Sequence, residues 1–125
     1  MYKVLIINDN DSECRNLEDI IREYNDSIQV KTATTGVEGL EMINNEKPDF
    51  IFMEIVLPIL NGVEICRIVK EQLRMEDTRV ILTSPLDKSL QFGVIEEKLA
   101  DEDLVKPYEP IQVTNILKKY TNKKC

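Results

Sequence analysis

Short apolar runs rich in β-branched residues alternate with amphipathic segments from one end of the chain to the other, and this alternation restricts the possible folds more than any other feature. The run Lys3-Val4-Leu5-Ile6-Ile7 is almost continuously apolar, as a parallel strand covered on both faces must be. Further strands are expected at Ile28 to Thr32, Phe50-Ile51-Phe52-Met53, Val80-Ile81-Leu82 and, shorter, Leu104-Val105. Between them, apolar residues recur at helical spacing. Cys14, Leu17, Ile21 and Tyr24 form one stripe, and Val37, Leu40 and Ile43 a second that starts near Thr35 and ends at Pro48. Ile65, Ile68, Val69 and Leu73 form a third, and Val113, Ile116, Leu117 and Tyr120 mark the last helix. A fourth helix, around Ser89 to Lys98, is expected to be the least regular, because Pro85 precedes it and Gly93 interrupts it. Five strands alternating with five helices predict an α/β fold with a doubly wound parallel sheet, since parallel neighbours require crossover connections. No linker or internal repeat divides the chain, so one domain is expected over residues 1–122, with 123–125 a tail.

Composition narrows the function. Of 125 residues, 42% are apolar and 31% charged, the balance of a globular protein. The net charge of −7 repels phosphate backbones and anionic lipid, which argues against direct nucleic-acid binding and against a membrane partner. Lys118, Lys119, Lys123 and Lys124 cluster at the end of the last helix, where lysines complement the helix dipole. No apolar run approaches the ~20 residues that cross a bilayer, and the start lacks a secretory pattern, so a cytoplasmic protein is expected. Cys14, Cys66 and Cys125 are odd in number and lack metal-ligand spacing; the first two fall on amphipathic stripes as small buried hydrophobes.

In folds of this class, sites form beyond the carboxyl ends of the strands. The residues expected there are Asn8 and Asp9, Glu54, Thr83 and Lys106. Each has an ordinary reading when taken alone. Asp9 is a helix cap within Asn8-Asp9-Asn10-Asp11-Ser12, Glu54 a surface glutamate, Thr83 a β-former and Lys106 a solvated lysine.

Taken together, four segments resemble the receiver domains of two-component response regulators. They are Val4-Leu5-Ile6-Ile7-Asn8-Asp9, Phe52-Met53-Glu54-Ile55-Val56-Leu57-Pro58 with Gly62, Val80-Ile81-Leu82-Thr83-Ser84 and Leu104-Val105-Lys106-Pro107. The resemblance covers essentially the whole chain and implies a flavodoxin-like sheet in strand order 2-1-3-4-5. It implies a magnesium site at Asn8, Asp9, Glu54 and the Val56 backbone carbonyl, a phosphoacceptor position at Glu54, a switch hydroxyl at Thr83, and a phosphate-neutralising ammonium at Lys106. It also implies a cis peptide at Lys106-Pro107, and Tyr108 matches a position that is often aromatic, where core packing accounts for it.

Three positions depart from the family pattern. Asn8 stands for one of two acids, which lowers the affinity of a magnesium site. Glu54 stands for the acceptor aspartate, and its extra methylene moves the carboxylate on the order of 1.5 Å. Asp103 stands where an aromatic usually swings inward with the threonine, and an acid is costly to bury there. The expected function is therefore a degenerate receiver in a two-component or phosphorelay system: not an enzyme, and with no cofactor or only weakly bound magnesium. Its implied partner is a protein: a histidine kinase, an output domain, or a second copy through the fourth-helix, fifth-strand and fifth-helix face. Two alternatives remain. One is a weakly phosphorylatable, magnesium-binding response regulator. The other is an aspartate-nucleophile phosphohydrolase using Asp9 and Asp11, against which the Glu54-to-Gly62 segment and Lys106-Pro107 count. A flavodoxin is disfavoured because Asn8-Asp9-Asn10-Asp11 would face an anionic ligand with acids and amides.

Overall fold

Strands and helices alternate as the periodicity predicts in the computed structural model, which describes residues 2–85 and 99–121. β1 (Lys3–Ile7) leads into α1 (Asp11–Tyr24), β2 (Gln29–Ala33) into α2 (Gly36–Glu46), and β3 (Phe50–Glu54) into α3 (Gly62–Arg67). α3 runs on as a π-helix over Ile68–Gln72; β4 (Arg79–Pro85), β5 (Glu102–Lys106) and the final helix α4 (Pro110–Thr121) follow. The expected fourth helix near residues 89–98 lies outside the described residues, as do Lys123, Lys124 and Cys125.

The five strands form one parallel sheet in the order β2-β1-β3-β4-β5, a flavodoxin-like arrangement. Alternation along the central strands divides the core in two. Leu5, Ile7, Ile51, Met53, Val80 and Leu82 face α2 and α3, while Val4, Ile6, Phe50, Phe52, Ile81 and Leu104 face α1 and α4. The chain leaves β1 toward β2 on one side and returns to β3 on the other, so a crevice opens at the carboxyl ends of β1 and β3. No helix among the described residues is long and apolar enough to cross a membrane.

Local chemistry explains where the helices begin. Asn10 caps α1 by accepting from Glu13 N at 3.0 Å, so the cap role read for Asp9 belongs to its neighbour. Thr35 caps α2 in the same way, and Asn61 opens α3. Gly62 is required by close approach: a Cβ there would meet the Glu54 carbonyl oxygen at 2.5 Å, so the start of α3 rests directly on the end of β3.

Two stripe residues are not buried as the periodicity suggests. Val37 is 60% exposed, because α2 packs through Gly36, Gly39 and Ile43, with Leu40 at the edge of the core. Leu73 is 37% exposed; the π-helical turn, closed by Leu73 N donating to Ile68 O, adds a residue to the turn and rotates it off the stripe.

The β3–α3 connection holds Ile59 at φ 69° and 96% exposed. A β-branched residue is strained in the left-handed region, whereas asparagine tolerates it. Ile59→Asn is expected to raise stability by about 1 kcal/mol, read as a higher urea midpoint. A lower midpoint would mean that Ile59 makes contacts its exposure does not reveal.

Candidate functional site

The strand register brings Glu54 and Thr83 together, because Glu54 ends β3 directly opposite Thr83 on β4. Thr83 lies within β4 rather than beyond it. Both are buried, and Thr83 Oγ1 donates to Glu54 Oε1 at 3.2 Å. Lys106 ends β5, next to β4, and its Nζ donates to the same Glu54 oxygen at 2.7 Å. One carboxylate oxygen therefore takes both an ammonium and a hydroxyl at the carboxyl edge of the sheet. The Lys106-Pro107 bond is cis, as the resemblance implies.

A residue not singled out from the sequence completes the arrangement. Glu13, in the first turn of α1, accepts from Lys106 Nζ at 3.1 Å through Oε1 and at 3.4 Å through Oε2. Asn8 Nδ2 donates to Glu13 Oε1 at 2.9 Å, and Asn8 Oδ1 accepts from Asn10 N at 2.9 Å. The backbone oxygen of Asn8 in turn accepts from the Cys14 thiol at 3.4 Å. The chain of contacts thus runs Asn8–Glu13–Lys106–Glu54–Thr83, joining α1, β3, β4 and β5. The pattern Asn10-x-x-Glu13 signals a capping box, but the direction of the glutamate depends on Lys106, far away in sequence.

Electrostatics follow this geometry. Burial pushes the Glu13 carboxyl up, but the Asn8 amide and the Lys106 ammonium outweigh it, so Glu13 sits below the ordinary carboxylate range. Burial pulls Lys106 down, and its bonds to Glu54 and Glu13 more than reverse this, raising it above the usual lysine value. Burial raises Cys14 and lifts Cys66 to about 11, so both thiols stay protonated and unreactive near neutrality.

Asp9 is exposed, and Val56 is 44% exposed. Asp103 pairs in register with Leu82 and sits on the face of β5 opposite Leu104 and Lys106. Tyr108 packs partly buried against the α1–α4 core. Among the described residues, no three His, Cys, Asp or Glu side chains are placed to hold a metal ion.

The response regulator receiver domain model matches residues 4–118. The alkaline phosphatase synthesis transcriptional regulatory protein PhoP of Bacillus subtilis is 30% identical over 114 residues, which is 89% of this chain and 45% of that protein, so the chain spans just under half of PhoP. The signal receiver domain of a histidine kinase from Syntrophus aciditrophicus superposes with TM-score 0.87 at 23% identity, covering 100% of this chain and 95% of that one. The receiver domain of sensor histidine kinase PA1611 from Pseudomonas aeruginosa PAO1, solved with magnesium coordinated in its active-site cleft, gives TM-score 0.82 at 21% identity and 98% coverage of both chains.

Proposed function

This chain belongs to the response-regulator receiver family, and from that premise we propose that it is a signalling module that works by protein–protein contact without accepting a phosphoryl group at Glu54. One observation carries this reading: Glu54 Oε1 is engaged by Lys106 Nζ at 2.7 Å and by Thr83 Oγ1 at 3.2 Å. In this reading Glu54 is the acceptor-equivalent, Lys106 the neutralising ammonium and Thr83 the switch hydroxyl. The longer side chain carries its carboxylate to the two groups that would otherwise answer a bound phosphoryl group. The module is held in one arrangement by its own side chain.

Magnesium fits this donor set poorly. Glu54 Oε1 is committed to Lys106 and Thr83, the Asn8 side chain is committed to Glu13 and Asn10 N, and of the expected side chains only Asp9 stands exposed. A hard octahedral cation needs several free oxygens at close range. We therefore assign no step to a metal.

The same reading makes the module a binder rather than an enzyme and places it in the cytoplasm. Its partner is a histidine kinase, an output domain or a second copy, through a face that includes β5, α4 and the segment before β5. Asp103, on β5, would act there in place of an inward-swinging aromatic.

The test is direct labelling. Incubated with magnesium and acetyl phosphate, the native chain is expected to gain no hydroxylamine-labile phosphate, as measured by intact mass. Rapid labelling at Glu54 would sink this reading in favour of a functioning response regulator.

A further inference from the structure

Two helices of this chain open with the same pattern, Asn-x-x-Glu, and use it differently. At α3 the capping box closes, with Asn61 Oδ1 accepting from Glu64 N and Glu64 Oε1 accepting from Asn61 N, each at 2.9 Å. At α1 only half of it forms. Asn10 Oδ1 accepts from Glu13 N, but Asn10 N donates to Asn8 Oδ1 at 2.9 Å. The Glu13 carboxylate is therefore released from capping, and it turns to Asn8 Nδ2 and Lys106 Nζ.

We propose that Glu13 is a positioning residue, aimed by Asn8, that latches the Lys106 ammonium toward α1 and shares it with Glu54, so that an anion entering the site does not meet a free cation. This rests on the functional reading above and adds a second lock to it. The chemistry of Asn8 makes the assignment specific. An aspartate at position 8 could still accept from Asn10 N, but it would have no hydrogen to give Glu13 and would set a second carboxylate within hydrogen-bond distance of the first. Asn8 is thus more than a lost acid; its amide is the donor that holds Glu13 on Lys106. An ammonium with three hydrogens is largely used up by Glu54 Oε1 at 2.7 Å and the two Glu13 oxygens at 3.1 and 3.4 Å.

The experiment follows the exchange of the Lys106 ammonium protons with water, by nitrogen-15 NMR on the full chain. Glu13→Ala is expected to speed that exchange at least on the order of tenfold, the effect of losing the charge-assisted contacts to the two Glu13 oxygens. Asn8→Asp, which keeps the α1 cap, removes the donor and sets a like charge beside Glu13, should move it in the same direction. Glu64→Ala removes the matching glutamate of α3 and should leave Lys106 unchanged, which separates latching from helix stability. If Glu13→Ala does not fold, Asn8→Asp decides alone. Unchanged Lys106 exchange in the folded variants would overturn the latch while leaving the proposed function intact. Labelling of the native chain at Glu54 would overturn the function while leaving Lys106 exchange as the measure of the latch.

Discussion

Lys106→Met will cost the fold about 3 kcal/mol, far more than removal of an ordinary surface lysine. The reason is what it leaves behind. The Glu54 side chain is 6% exposed and Lys106 only 23%, so removing the ammonium strands a carboxylate where water cannot replace the lost partner. Thr83 would still donate, but a neutral hydroxyl does not balance a charge. Adding Glu54→Met to Lys106→Met should recover most of the loss, because an apolar pair of similar volume avoids the desolvation of both ions. The expected coupling between the two changes is about 2 kcal/mol in a double-mutant cycle of urea unfolding. A loss under about 0.5 kcal/mol for Lys106→Met would show that the pair is solvated and of the weak surface kind.

The pH dependence has a definite sign. Glu13 is depressed in the fold, so its contribution is present above the ordinary carboxyl value of 4.5 and is lost as pH falls through the lowered value. Lys106 is raised, so its contribution is complete below 10.5 and is lost as pH rises through the raised value. The network should therefore stabilise the native chain across that whole window. In Lys106→Met the Lys106 contribution at the alkaline end should disappear.

Asn8→Asp combined with Glu54→Asp should convert the chain into a phosphate acceptor. The two changes act on different barriers. Glu54→Asp draws the carboxylate back by about one carbon–carbon bond, on the order of 1.5 Å, and takes it off Lys106 and Thr83. A displacement of that size costs on the order of a hundredfold in rate when a nucleophile must lie in line. Asn8→Asp supplies the charge a magnesium ion favours and removes the amide that aims Glu13. Glu54→Asp alone should therefore label slowly with magnesium and acetyl phosphate, and Asn8→Asp alone should not label at all. The double variant should exceed the sum of the two, since groups sharing one cation act as a unit. A double variant that folds but takes no phosphate would place the block elsewhere, with Asp103 on the far face of β5 the next position to change.

The architecture was legible in the order of residues, because hydrophobic period is a local property that survives any arrangement of its neighbours. The run Lys3–Ile7 reads as a doubly covered strand, and the alternation of strand and helix left a parallel sheet as the economical solution. That order also determined which residue types stand at the carboxyl ends of β1, β3, β4 and β5, Asn8 and Glu54 among them. Tertiary structure alone decided what those residues do to one another. Val37 lies on a helical stripe yet is exposed, since α2 packs through Gly39 against Ile7 of β1 and through Gly36 against Leu60 and Ile65. Glu13 reads as half of a capping box and becomes a partner of Lys106, because the Asn8 side chain has already taken the backbone hydrogen that the box would use. Which carboxylate meets which ammonium depends on side-chain directions fixed by strand register and by competition for hydrogens between residues far apart in the chain. No periodicity records that competition, because it exists only once β1, β3, β4 and β5 lie side by side and the first turn of α1 brings Glu13 to Lys106.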